Sequence, residues 1–161
     1  MYQIYPATAG QAEDILALYK MQIGREFCPW DAHYPTENEI AFDLSRNALF
    51  VMVNNANQII ATVSIDEDEA VNALPCWTPS LQPGGELARL AVHPDYQNQG
   101  IARQMLAYGM KMLAKRGFKS IHFLVNKHNK KALRSYAAFQ FPVVGECELF
   151  DQPFYCYEKA L

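Results

Sequence analysis

Between Tyr96 and Gly145 the 161-residue chain contains no Asp or Glu at all. That stretch carries nine cations: Arg103, Lys111, Lys115, Arg116, Lys119, Lys127, Lys130, Lys131 and Arg134. The residues before it are strongly acidic, so the net charge of −3 hides a charge split that suggests a polyanionic partner for the middle of the chain. No apolar run approaches the ~18–20 residues that span a bilayer. Met1–Gly10 has neither a basic n-region nor an apolar h-region, which reads as no signal peptide. Cys28, Cys76, Cys147 and Cys156 have no CxxC spacing, which argues against a zinc site or a dithiol pair. They read as free thiols of a cytoplasmic protein. Repeats, low-complexity segments and the Walker, GxGxxG, HExxH and GxSxG motifs are all missing. With 50% hydrophobic residues, the chain has the composition of one packed domain over residues 1–161.

Periodicity and caps divide the chain into alternating elements. Gln3 to Pro6 reads as a strand. Thr8 with Gln11, and Thr36 with Glu39, are capping boxes opening two helices, the first with Ala12, Ile15, Leu16, Tyr19 and Ile23 at helical spacing. Leu49–Val53 and Ile59–Ile65 flank an Asn-rich turn and read as a hairpin. The connection from Asp66 to Gly85 is 20 residues long, a length that is often functional. Then follow a strand (Glu86–Val92), a helix (Gly100–Arg116, with Gly117 as its C′ residue), a strand (Ser120–Val125), a helix (Asn129–Ala138) and two last strands near Val143–Phe150 and Phe154–Lys159. The order predicts a mixed α/β fold.

The most informative stretch is Leu90-Ala91-Val92-His93-Pro94-Asp95-Tyr96-Gln97-Asn98-Gln99-Gly100-Ile101-Ala102. An apolar strand runs through a polar turn into a helix. The first helical amides lack intrahelical acceptors and point outward, and the helix dipole adds positive potential. Such a terminus suits a pyrophosphate. Gly100 and the small Ala102 let a ligand approach the backbone.

Gln97-x-x-Gly100-x-Ala102 after this strand resembles the acetyl-CoA signature of the GNAT superfamily of N-acetyltransferases. Asn129-x-x-Ala132-Leu133-x-x-Tyr136, ending in Phe139-Gln140-Phe141, is similar to the family's second CoA segment, with Gln140 where glycine is usual. The Trp30–Thr36 segment resembles small members more loosely. The resemblance implies a single-domain fold with a mixed six- to seven-stranded sheet and about four helices. It implies acetyl transfer from acetyl-CoA to a primary amine, small-molecule or peptide, by direct attack and without a metal.

On this resemblance Leu90, Ala91, Val92, Gln97, Asn98, Gln99, Gly100, Ile101, Ala102, Asn129 and Tyr136 bind the cofactor. Val92 also offers its amide to the thioester carbonyl. The attacking amine must be neutral, so a base must take a proton. Glu86, 11 residues before Gln97, is the candidate base or else an exposed strand-end acid. Tyr136 is the candidate acid toward the CoA sulfur or a core tyrosine. Asn129 is a pantetheine ligand, a plain N-cap, or both. Trp30, Tyr34 and Asp66 are candidates for the acceptor side, with Trp77 and His33 as further pocket candidates. The run Asp66–Glu69 either attracts a cationic amine or is a solvated loop. A non-catalytic CoA-binding regulatory domain and a nucleic-acid binder are the competing readings. Nucleic acid is disfavoured by the pI of about 5.8 and by the missing recognition motifs. The partners expected are therefore an amine acceptor, with no nucleic acid and no membrane. A homodimer through the final strands is compatible with the family.

Overall fold

The computed structural model describes residues 2–161. Seven strands form one mixed sheet in the order β1-β2-β3-β4-β5-β7-β6. They are β1 (Gln3–Pro6), β2 (Leu49–Val53), β3 (Ile59–Asp66), β4 (Gly84–Val92), β5 (Ser120–Asn126), β6 (Val143–Leu149) and β7 (Gln152–Ala160). The α-helices are α1 (Ala12–Lys20), α2 (Glu37–Ser45), α3 (Glu69–Asn72), α4 (Ile101–Lys115) and α5 (Lys130–Ala138). The expected α/β class and strand count hold. The fifth helix is a single turn inside the long 66–85 connection, capped by Asp68, whose carboxylate accepts from Ala70 N at 2.8 Å. Among the described residues no helix is long and apolar enough to cross a membrane.

The chain divides into two compact units. One comprises Met1–Asp66 and Leu87–Gly109, the other Glu67–Glu86 and Met110–Leu161. In the first unit Ile15, Leu18 and Tyr19 of α1 and Ile40 of α2 pack on Leu49, Val51 and Val53 of β2 and on Ala91 of β4. The alternate residue Phe50 meets Tyr108 of α4, ring centroids 5.5 Å apart, so both faces of β2 are covered and all five of its residues are buried. The helical spacing through Ile23 overshoots: α1 stops at Lys20, and Ile23 lies beyond it, 37% exposed. The Thr8–Gln11 box opens a 3₁₀ turn before α1, and the Thr36–Glu39 box opens α2 directly.

In the second unit β4 and β5 run parallel, pairing Gly84–Glu86 with Ser120–His122, while β5 with β7 and β7 with β6 are antiparallel. Both helices ending here close with the same motif. After α4, Gly117 at φ +88° lets Phe118 N reach Leu113 O and Gly117 N reach Ala114 O. After α5, Gln140 at φ +62° does the same work: Phe141 N bonds Tyr136 O and Gln140 N bonds Ala137 O, each at 3.0 Å. The departure from glycine thus leaves the cap intact and adds the cost of a left-handed side chain, about 1 kcal/mol.

Candidate functional site

The first unit holds the turn expected to cradle phosphate. Val92 leads through Pro94–Tyr96, a 3₁₀ turn whose Asp95 N donates to His93 Nδ1 at 3.1 Å. Asn98 and Gly100 then take left-handed conformations, φ +60° and +77°. A Cβ on Gly100 would meet nothing within 4 Å, so its φ, not crowding, calls for glycine there. Asn98, Gln99 and Gly100 are exposed; Ile101 is buried and anchors α4. No acid lies in the first turn of α4, and Gln104 N, bonded to Gly100 O, begins the helical ladder. An exposed turn, open space at Gly100 and an acid-free first turn fit a pyrophosphate at a helix start.

Gln97 and Val92 are engaged with each other here. Gln97 spends its side-chain amide inside the protein: Nε2 donates to Val92 O at 3.3 Å, and Oε1 accepts from Arg25 Nη2 at 2.7 Å. Gln22, buried in the same unit, donates to Val92 O as well, at 3.0 Å. The Val92 carbonyl therefore already holds two donors and is not what that residue offers a ligand. Gln97 ties the turn to Val92 and Arg25 through its side chain.

The same unit contains a residue that nothing in the pattern singled out. Arg89, in β4, is 8% exposed and sits at φ +51°, a left-handed conformation costing about 1–2 kcal/mol for a side-chain-bearing residue. Its Nη2 donates to both oxygens of Asp43 at 2.9 and 3.0 Å, and its Nη1 donates to Asp66 Oδ2 and Tyr34 Oη, both at 3.0 Å. Asp43 also accepts from Ser64 Oγ and from Arg46 Nη2. Burial works against the Arg89 charge, but Tyr34, Asp66 and Asp43 outweigh it and raise its pKa further. Tyr34 and Asp66, two of the expected acceptor residues, thus meet on one nitrogen. The third, Trp30, packs edge-on against Tyr19 at 5.5 Å and leans on the α1 core. Of the acidic run, Asp66 serves Arg89 and Asp68 caps α3.

In the second unit Glu86, His122 and Glu158 form a row across β4, β5 and β7, 7%, 1% and 3% exposed. The Cβ direction of Gly85 leads to Leu113 of α4, so Glu86 faces away from that helix. It is buried, unlike the exposed strand-end acid that was the alternative. A Cβ on Gly84 would lie 2.7 Å from Ser120 Oγ and 2.8 Å from His122 Nδ1, so this row requires glycine at its edge. His122 Nε2 lies 3.1 Å from Asn72 Oδ1, and its ring stacks on Trp77 at 4.5 Å. Trp77 is therefore core, tied by its indole N–H to Val71 O, and not a pocket wall. Burial lowers the His122 pKa to about 4.

Asn129 caps α5, its Oδ1 accepting from Ala132 N at 3.2 Å. Its amide nitrogen is the part that remains for a ligand. Tyr136 stands among Phe123, Phe139, Phe141 and Tyr157, with centroids 4.6 to 6.4 Å away. Burial, with a smaller contribution from Tyr157, pushes its phenol up to about 12.

A mixed sheet of this order, with a left-handed turn opening an acid-free helix, has the architecture of acetyltransferases. The chain belongs to the GNAT acetyltransferase family, whose model matches residues 15–141. Members of this family use acetyl-CoA. The fold is shared by many solved structures, among them these three. An acetyltransferase of the GNAT family from Streptococcus agalactiae has a TM-score of 0.80 at 15% identity, covering 99% of this chain and 95% of its own. The PaiA N-acetyltransferase of Thermoplasma acidophilum, in complex with coenzyme A, has a TM-score of 0.76 at 14% identity, covering 100% and 99%. The ribosomal-protein-S18-alanine N-acetyltransferase of Escherichia coli has a TM-score of 0.70 at 19% identity, covering 100% and 93%. No curated protein matches the chain in sequence.

Proposed function

We propose that the chain works as one domain over residues 1–161, in the cytoplasm, transferring an acetyl group from acetyl-CoA to a primary amine, small-molecule or peptide, by direct attack in a ternary complex. The observation that carries this is the Gln97–Ala102 turn: left-handed at Asn98 and Gly100, exposed from Asn98 to Gly100, and opening a helix with no acid in its first turn. Acetyl-CoA, when bound, supplies an activated thioester. The amides of Asn98 to Ala102 hold phosphate, the backbone of Leu90, Ala91 and Val92 aligns the pantetheine arm, and the Asn129 amide nitrogen adds a donor to it. Glu86, directly or through one water, takes the proton that the amine must lose, since alkylamines have pKa values near ~10. Tyr136, protonated at every working pH, donates toward the departing sulfur. Trp30, Tyr34 and Asp66 meet the acceptor.

Thermal unfolding with acetyl-CoA tests the donor assignment. Ligand at ~100 times Kd stabilises by ~2.7 kcal/mol, which raises Tm by roughly 5–10 °C in a chain of this size. No rise at saturation removes acetyl-CoA from the proposal. Thiol release across a panel of amines and peptides tests turnover; binding without amine-dependent release overturns the enzyme in favour of a CoA-binding regulatory domain.

A further inference from the structure

Between Leu87 and Arg89, β4 changes the face on which alternate side chains lie. Leu87 covers Gly109 of α4, where a Cβ would come within 2.6 Å of its Cδ1. Strict alternation would put Arg89 on that same face. Arg89 instead reaches Asp43 of α2, and Ala91 joins Ile15 and Leu18 of α1. The left-handed φ of +51° at Arg89 makes the switch, as the odd residue of a bulge does. A strained, buried residue beside proposed ligand-binding backbone is where positioning roles concentrate.

The network around Arg89 is electrically balanced, with Asp43 and Asp66 against Arg46 and Arg89. Asp66 therefore has its charge met within the protein and lines the acceptor side without adding net negative charge to it. Tyr34 is different. The residue as a whole is 44% exposed while its hydroxyl oxygen accepts from Arg89, which leaves the hydroxyl proton to be donated elsewhere. Its position is set from the backbone too, by the paired bonds between Asp31 and Tyr34. Burial of the hydroxyl end raises the phenol pKa despite Arg89, so the group remains a donor.

We propose that Arg89 is the positioning residue of the acceptor site, holding the Tyr34 hydroxyl to donate to a carbonyl or carboxylate oxygen beside the substrate's amine. The acceptor class is then an amino acid or peptide amine, in preference to a plain alkylamine. This rests on the acetyltransferase reading above.

Steady-state kinetics on the full chain, with alaninamide and isopropylamine as paired acceptors, provide the test. Each variant is compared with wild type on each acceptor, so the intrinsic reactivity of the two amines cancels. Tyr34→Phe lowers kcat/KM for alaninamide about tenfold, the weight of one lost hydrogen bond, and for isopropylamine less than twofold. Its KM for acetyl-CoA stays within twofold. Arg89→Lys, which keeps the charge and loses the planar fork, gives the same selective loss, and the double variant is no worse than Arg89→Lys alone. Equal losses on both acceptors, or additive effects in the double variant, overturn the proposal. Should Arg89→Lys fail to fold, the Tyr34→Phe selectivity decides alone. A wild type inert with every amine overturns the underlying acetyltransferase reading instead.

Discussion

Acidification should weaken this fold through one identifiable histidine. His122 is 1% exposed, stacked on Trp77 and bonded through Nε2 to Asn72, and burial holds its pKa at about 4 against an ordinary 6.5. The unfolded chain therefore takes up a proton before the folded one does. The stability that neutral His122 confers is complete above pH 6.5 and is lost as pH falls toward about 4. The gap between those values corresponds to about 3 kcal/mol, a large share of the ~5–15 kcal/mol that holds a typical domain folded. Carboxylates titrate at the lower end of the same window, so the measurement needs a matched control. Urea unfolding of wild type and His122→Gln at pH 7.0, 6.0, 5.0 and 4.5 isolates the term. At pH 7.0 the variant is the less stable, by about 1 kcal/mol for the lost ring stack. As pH falls the wild type loses stability faster, and the difference narrows and reverses. Parallel pH dependences for the two proteins would refute the reasoning, because they would mean that His122 is protonated in the folded state as readily as in the unfolded one.

Three further outcomes are expected. Tyr136→Phe should lower kcat about 10- to 100-fold with little change in acetyl-CoA affinity. Because burial pushes this phenol up to about 12, the wild-type pH–rate profile should show no alkaline fall from Tyr136 below pH 11; equal turnover in the variant removes its acid role. Glu86→Gln should lower kcat by about 10²-fold or more while circular dichroism stays native, and an unchanged rate would leave the amine's proton to solvent. Gln140→Gly should stabilise by about 1 kcal/mol, read as a higher urea midpoint, because the C′ position of α5 is left-handed at φ +62°; a lower midpoint would mean that the Gln140 side chain contributes more than its strain costs.

Much of the architecture was legible in local pattern. The capping box at Thr36 and Glu39, the apolar runs and turn around Asn54–Asn57, and the glycine after α4 each act over a few residues. Each marked its element to within two residues. The geometry of the proposed phosphate turn was legible for the same reason, since strand, glycine and helix start are contiguous. Where the pattern misled, the cause was competition from tertiary packing. The spacing of Ile23 continued that of α1, but the chain turns after Lys20 to let Gln22 bond Val92 and Arg25 bond Gln97. Trp77 looked like a loop aromatic, but its stack on His122 and its bond to Val71 make it core.

The sequence by itself determined the class: a strand–turn–helix motif of the GNAT family in an α/β order, backed by an acid-free stretch from Tyr96 to Gly145. It also supplied Tyr34 and Asp66 as candidates without a reason to join them. Only the tertiary structure decided that Arg89 joins them, because Asp43, Asp66 and Tyr34 lie 46, 23 and 55 residues away in sequence. A buried guanidinium must be matched by whatever carboxylates the fold brings to it, and a left-handed residue inside a strand carries no local signature unless it is glycine. Local periodicity reports which side chains share a face. Charge pairing across α2, β3 and β4 exists only once those elements have packed.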